Sequence, residues 1–424
     1  MDSAIRSTRP ARCSRSTSPL AGSAGRAAAV STATRKKVSW ALHPLTEEQQ
    51  EIQKLAREFA HAEIAPHAAA WDRDCHFEPT LVKKMGELGF LGMLLPEEHD
   101  GLGVDTSTYL IALEEIAAVD ASVAVMMSVH NSLPTSMINR FGSDEQKKRF
   151  LKPMARGEIL GAFALSEPDA GSDAAALSTQ AVKDGESWVL NGAKSWVTNG
   201  STAGAIIVMA RTDASGSRKG ARGIGAFIVT PDLPGFAVGK KEDKMGLRAS
   251  PTVSLVLDNL RVPAGNLLGD PSQGFIYSMQ SLDNGRLGIA AQAIGIARSA
   301  LEHSTAYALE RRQFGKPIKE FEAIQFKLAD MAMRVAAARS LLHSAAAAKD
   351  RGQSITQFSA MAKLFASETA MWVTTQAVQI FGGYGYMKDY PVERLFRDAK
   401  VTEIYEGTSE IQRIVIAREL YAQS

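Results

Sequence analysis

Two stretches, SWVLNG at 187–192 and AIIVMART at 205–212, decide the architecture. Both are short runs rich in β-branched and aromatic residues, and the first ends in Asn191-Gly192, which predicts a hairpin turn. With GAFIVT (225–230) and SLVLDNLRV (254–262) they mark a compact β segment between about 160 and 270, in which DASGSRKGARG (213–223) reads as a long polar turn. The hydrophobic period changes on either side. Upstream, Thr46 and Gln49 form a capping box, and Ile52, Leu55, Ala56 and Phe59 follow at helical spacing. Further helices are expected at 80–89, 106–118 and 144–156, set apart by Gly101-Leu102-Gly103 and Pro134. Downstream, Ala-rich patterns at 284–312, 322–350, 354–381 and from 408 predict four helices. The expected fold class is multidomain α and β. It comprises a disordered tail (1–43), an N-terminal all-α domain (44–160), an antiparallel β-barrel-like middle domain (161–275) and a C-terminal four-helix bundle (276–424). This order excludes the βαβ alternation of a dinucleotide-binding sheet.

Composition narrows the function classes. With 424 residues, 45% hydrophobic and 22% charged, the chain reads as globular, and it holds no apolar run long enough for an integral membrane segment. Two cysteines, Cys13 and Cys75, and eight histidines without an HExxH spacing argue against a metal site. The net charge of +2 hides an asymmetry: residues 1–40 carry eight basic groups against Asp2, leaving 40 basic and 45 acidic residues in the body. That body offers no basic footprint for nucleic acid. The tail is rich in Arg and Ser, as a mitochondrial transit peptide is, but only Ile5 and Leu20 are large and apolar before Val30, so an amphipathic stripe is hard to draw. A tail outside the working protein, or an extended start, is the preferred reading. The expected location is a bacterial cytoplasm, with the mitochondrial matrix as the alternative.

Three stretches place glycine beside polar side chains. FALSEPDAGSD (163–173) sets Pro168 and Gly171 in a tight loop, freeing backbone N–H groups and the Ser166 and Ser172 hydroxyls for a planar or phosphorylated ligand; the bland alternative is a strand-ending turn. QIFGGYGY (379–386) sets Gly382-Gly383 after a long helix, open to a pyrophosphate or serving only as a helix cap. In IYEGTSEIQ (404–412), Glu406 precedes Gly407, while Thr408 can cap a helix with Ile411 and Ile414 packing inward. A carboxylate flanked by Ile404 and Tyr405 can be desolvated and so become a general base, although most glutamates are solvated surface.

Taken together, FALSEPDAGSD, SWVTNG (195–200), LDNGRLGIAAQAIGIA (282–297), ERRQFGKPI (310–318), QIFGGYGY and RDAKVTEIYEGTSEIQR resemble, in order, the acyl-CoA dehydrogenase family, most closely its short-chain and short-branched-chain members. The resemblance implies an FAD enzyme, usually a homotetramer, that oxidises an acyl-CoA to a trans-2-enoyl-CoA and passes electrons to electron-transfer flavoprotein. It implies Glu406 as the base that removes the α-proton, because isovaleryl- and long-chain-type members carry their glutamate in the segment matching LDNGR, at the place of Gly285. Donors to the thioester oxygen would be the Glu406 backbone N–H and a ribityl hydroxyl. FAD contacts carry over to Phe163, Leu165, Ser166, Ser172, Trp196, Thr198, Thr408 and Glu410. From a neighbouring subunit come Arg311, Gln313, Phe314, Gln379, Gly382 and Gly383, and Glu322 stands where many members have Gln. Substrate contacts carry over to Ser172, Asp283, Arg286 and Gly407. A short- to medium-chain substrate of about C4–C6, straight or 2-methyl-branched, is expected, with pocket depth set around Met126, Met127 and His130. The rivals are an acyl-CoA oxidase, disfavoured by chain length, and a flavin-bearing relative with a binding role only.

Overall fold

The computed structural model describes residues 44–213 and 220–422. The tail expectation and residues 214–219 of the polar turn lie outside these. The N-terminal layer comprises α1 (Glu47–Phe59), α2 (Ala68–Asp74), α3 (Thr80–Glu87), α4 (Thr106–Val119), α5 (Ala121–His130), α6 (Ser136–Phe141) and α7 (Asp144–Ala155). Its starts are locally encoded: Thr46 and Gln49 cap α1 reciprocally at 3.2 Å, and Ser143 with Gln146 does the same for α7. Pro134 does not break the chain between helices as expected. It lies in a π-type turn (Asn131–Thr135) that carries α5 into α6.

Eight strands follow: β1 (Leu160–Ala164), β2 (Gln180–Asp184), β3 (Ser187–Thr198), β4 (Ala203–Arg211), β5 (Ile224–Val229), β6 (Phe236–Lys241), β7 (Thr252–Pro263) and β8 (Leu267–Leu268). They form one sheet in the order β6-β7-β3-β2-β4-β5-β8, with β1 parallel to β4, so the sheet is mixed rather than purely antiparallel. The Asn191-Gly192 hairpin is not formed. The tight turn is Gly185-Glu186, with Asp184 paired to Ser187, and β3 runs on through Asn191-Gly192 as a bulge opposite β7. There Asn191 Oδ1 accepts from Asn259 N at 2.8 Å, and a Cβ on Gly192 would lie 2.5 Å from Thr179 Oγ1. The strong turn signal is spent on a bend inside a strand. β4 and β5 are buried on both faces: Ile206, Val208, Phe227 and Val229 join Leu190 and Leu255 in one core, while Ile207, Met209, Ala226 and Ile228 pack with Phe150, Leu151 and Met154 of α7.

The C-terminal region consists of α8 (Gly274–Glu310), a ribbon of β9 (Arg312–Gln313) and β10 (Lys316–Pro317), then α9 (Glu322–Asp350), α10 (Thr356–Phe381), α11 (Pro391–Thr402) and α12 (Ser409–Ala422). The central α8 is buried on most sides and packs on α4, α9, α10 and α11. A buried ion cluster ties the layers: Glu114 of α4 meets Arg339 of α9 at 2.5 Å and Arg298 of α8 at 3.1 Å, and Glu115 meets Arg298 at 2.9 Å and Arg57 of α1 at 2.7 Å. Among the described residues, no helix is long and apolar enough to cross a membrane, and no group of His, Cys, Asp or Glu is placed to hold a metal ion.

Candidate active site

The first group of candidate residues sits where β1 and β3 end. Ser195 N donates to Ser166 O at 2.9 Å. The buried Lys194 ammonium bridges Leu165 O (3.2 Å) and the Glu167 carboxylate (2.7 Å), and Glu167 in turn accepts from Ser178 and Thr179 backbone N–H groups. Phe163, Leu165, Ser166, Trp196 and Thr198 are thereby brought to one rim of the sheet, with Ser172 exposed on the adjoining loop. Beyond them Asn199 anchors β3, its Nδ2 donating to Gly161 O at 3.1 Å and Met126 O at 3.3 Å. Trp196 holds a left-handed backbone (φ 56°) and leaves its indole 60% exposed. A large aromatic kept in a strained conformation and half in water is a poor packing element and a suitable face for a planar ring.

The second group is the turn between α11 and α12. Glu406 (φ 52°) and Gly407 (φ 91°) both take left-handed conformations. The turn is held from several sides: Lys363 Nζ donates to Gly407 O at 2.7 Å, and Gln412 Nε2 donates to Gly407 O at 2.8 Å and to Glu406 O at 3.1 Å. The Tyr405 hydroxyl donates to Gln292 Oε1, and Gln292 Nε2 donates to Ala121 O at 2.7 Å. The Glu406 carboxylate is aimed at α8, where a Cβ on Gly285 would fall 2.1 Å from its Oε2. Both carboxylate oxygens are shut off from solvent and accept no hydrogen bond. Burial pushes the Glu406 carboxyl up to about 7, against the pull of the Lys363 and Arg286 charges. Arg286 is itself buried and bonded to Asp283 at 2.5 Å, while Asp283 also accepts from Thr356 Oγ1 at 2.8 Å. Asp283, Asn284 and Thr356 line a cavity of about 720 Å³ that also holds Arg140, Lys349 and Gln353.

The third group lies elsewhere. Arg311, Gln313 and Phe314 follow the far end of the 37-residue α8, about 40 Å of helix from Asp283 at 1.5 Å per residue. Phe314 is 93% exposed with φ 51°, and Arg311 stacks over Tyr384 at 5.3 Å. Gln379, Gly382 and Gly383 lie at the end of α10, and a Cβ on either glycine would meet nothing within 4 Å. Glu322 is exposed at the first position of α9. One chain therefore does not bring this group to Glu406. Its glycines are open and its aromatic is unburied.

Several expectations are corrected. Thr408 Oγ1 does cap α12, accepting from Ile411 N at 3.3 Å, but Ile414 faces outward at 61% exposure, and Gln412 and Val415 point in instead. His130 is fully enclosed, its Nδ1 accepting from Gly161 N at 3.0 Å and its Nε2 against Leu91 O at 3.1 Å, so it joins layers rather than lining a pocket. Lys363, Gln412 and the Gln292–Tyr405 pair are not singled out by the sequence. The available signal is a lone lysine on the small-residue face of α10, between Ala360 and Ala366.

The family models of the acyl-CoA dehydrogenase N-terminal, middle and C-terminal domains match residues 46–158, 162–260 and 272–421. The chain is 50% identical over 376 residues to the mitochondrial short-chain specific acyl-CoA dehydrogenase of Mus musculus, covering 89% of this chain and 90% of that one. Among solved structures it resembles butyryl-CoA dehydrogenase from Megasphaera elsdenii (46% identity, TM-score 0.87, covering 89% and 99%). It also resembles a glutaryl-CoA dehydrogenase from Mycobacterium smegmatis in complex with FADH2 (33%, TM-score 0.85, 89% and 95%). The chain belongs to the acyl-CoA dehydrogenase family, FAD-dependent oxidoreductases acting on the CH–CH bond of acyl-CoA thioesters.

Proposed function

We propose that this acyl-CoA dehydrogenase oxidises short acyl-CoA thioesters of about four to six carbons, straight or 2-methyl-branched, to the trans-2-enoyl-CoA. Its electron acceptor is electron-transfer flavoprotein. The observation that carries the reading is the desolvated, unbonded Glu406 carboxylate held against Gly285. A thioester α-proton is weakly acidic, so its base must be dry, immobile and poised near neutral pH. Glu406 meets each demand: its turn is fixed by Lys363 and Gln412, and its carboxyl titrates at about 7. Glu406 takes the α-proton, and its backbone N–H faces the thioester oxygen. FAD, when bound, supplies the acceptor for the β-hydride.

The Trp196–Thr198 and Phe163–Ser172 rims would hold the flavin ring, with Thr408 and Glu410 toward its nucleotide half. Arg311, Gln313, Phe314, Glu322, Gln379, Gly382 and Gly383 would serve the flavin of a second copy, which makes a homotetramer integral to cofactor binding. The CoA portion would follow the 720 Å³ cavity past Asp283, with Arg286, Ser172 and Gly407 nearer the thioester and Arg140 and Lys349 supplying positive charge for its phosphates. A short acyl chain is supported by Gln292, seven residues beyond Gly285 and so on the same face of α8 about 10 Å further on. It is buried there between Tyr405 and Ala121, where it would act as a polar stop. Residues 44–160, 161–275 and 276–424 are proposed as the domains, and a bacterial cytoplasm as the location.

An anaerobic titration of the purified, flavin-loaded protein with butyryl-, 2-methylbutyryl- and octanoyl-CoA, followed by flavin absorbance, tests this reading. Bleaching by the four- and five-carbon substrates ahead of octanoyl-CoA is expected. A yellow protein that none of them bleaches would overturn it.

A further inference from the structure

Lys363 is fully buried in α10, its stem crossing a face of small residues, Ser359, Ala360, Ala362 and Ala366. Its one hydrogen bond among the described residues runs to Gly407 O, a carbonyl that Gln412 already satisfies at 2.8 Å. Burying an ammonium costs several kcal/mol, and no unmet hydrogen bond on Gly407 calls for it. Its charge acts through space on the Glu406 carboxylate, one residue before the Gly407 carbonyl that the ammonium holds, and the oxygens of that carboxylate accept no hydrogen bond. The other charged or titratable groups acting on that carboxylate are Arg286 on α8, Tyr109 on α4 and Tyr405 in the same turn; Glu403 at the end of α11 and Glu410 on α12 act on Lys363, and Asp283 on α8 and Arg418 on α12 act on Arg286. Arg286 is engaged by Asp283 at 2.5 Å, and Asp283 offsets much of its charge. Among the described residues Lys363 has no carboxylate bonded to it, and of the two cations that pull on Glu406 it exerts the larger effect, Arg286 the smaller.

We propose that Lys363 is a positioning residue for the base: its ammonium locks the Glu406–Gly407 turn through the Gly407 carbonyl, and its charge favours the ionised form of the Glu406 carboxylate, the form that accepts the α-proton. It acts without touching the substrate. The inference rests on the reading of Glu406 as the base.

The test uses the full-length flavin-loaded enzyme with Lys363→Met, Lys363→Arg and Glu406→Gln, measuring kcat/KM for butyryl-CoA from pH 5.5 to 9 beside flavin content and unfolding temperature. Loss of the cation makes the carboxylate harder to ionise, so the acid limb of the Lys363→Met profile moves to higher pH by about one unit or more. That is about a tenfold loss per unit at acid pH, regained toward pH 9. Lys363→Arg keeps the wild-type midpoint. A merely structural lysine would change activity at all pH values alike, so an unmoved midpoint in Lys363→Met overturns the proposal. Should that variant fail to fold, Lys363→Gln, which keeps a donor and drops the charge, carries the same two outcomes. Full activity in Glu406→Gln would instead remove the base reading itself, independently of where the lysine variants titrate.

Discussion

Glu114 and Glu406 are both buried carboxylates with two cations close by, yet they sit at opposite ends of the carboxylate range. Burial pushes Glu114 up, but Arg339 and Arg298 outweigh it and hold the group at about 2. Glu406 is pushed up to about 7, and Lys363 and Arg286 do not reverse it. The difference lies in contact. Arg339 donates directly to both Glu114 oxygens, at 2.5 and 3.0 Å, whereas Lys363 spends its hydrogen bond on a backbone carbonyl and Arg286 on Asp283. A carboxylate neutralised by bidentate contact is structural glue, while one held dry at a distance from its cations can still take a proton.

Four experiments test that contrast. The largest effect is expected from Glu406→Gln: loss of about 10²- to 10⁴-fold in kcat with flavin retained, measured by butyryl-CoA turnover and flavin absorbance. Gly285→Ala comes next, because its Cβ would occupy space 2.1 Å from Glu406 Oε2 and the base must move. A displacement near 1 Å costs about 10²-fold in kcat, readable in single-turnover flavin reduction. Glu114→Gln inverts the pattern, removing a carboxylate that two arginines hold. It should cost about 3–5 kcal/mol in denaturant unfolding while turnover per bound flavin stays near wild type. The smallest effect is on specificity: Gln292→Ala would remove the proposed polar stop and shift the ratio of kcat/KM for hexanoyl- over butyryl-CoA upward, within about 1–3 kcal/mol per methylene.

The same pair gives opposite pH dependences of stability. Glu114 is depressed in the fold, so its contribution is present above the unfolded value near 4.5 and is lost as pH falls toward 2. Glu406 is raised, so stability falls as pH rises from about 4.5 through 7. Thermal unfolding at pH 5 and pH 8 should therefore show Glu406→Gln gaining on the wild type at the higher pH.

Much of the fold is legible in the sequence because its signals are local. The Thr46 box and the Ala-rich runs of α9 and α10 mark their helices locally. Where signals are tertiary, reading fails. The helix α5 is buried on all faces and shows no period to read, and Asn191-Gly192 is a bulge because Asn259 and Thr179 shape it from other segments. α11 is missing from the expected helices although its signal is present, with Pro391 at its start and Val392, Leu395 and Ala399 on one face. At the site, Glu406 is reached through motif resemblance. Lys363 is not, because a lysine's burial depends on which helix faces it, and that is set by the packing of α10 on the turn before α12.

The proposed role of Glu406 as proton acceptor follows from its dry, unbonded placement. The most direct measurement is the rate of anaerobic flavin bleaching by limiting butyryl-CoA across pH 5.5 to 8.5, for the wild type and Glu406→Gln. Expected is a wild-type rate that rises with pH around a midpoint near 7, and a variant that keeps its flavin and bleaches negligibly at every pH. A variant that bleached at the wild-type rate would contradict the claim.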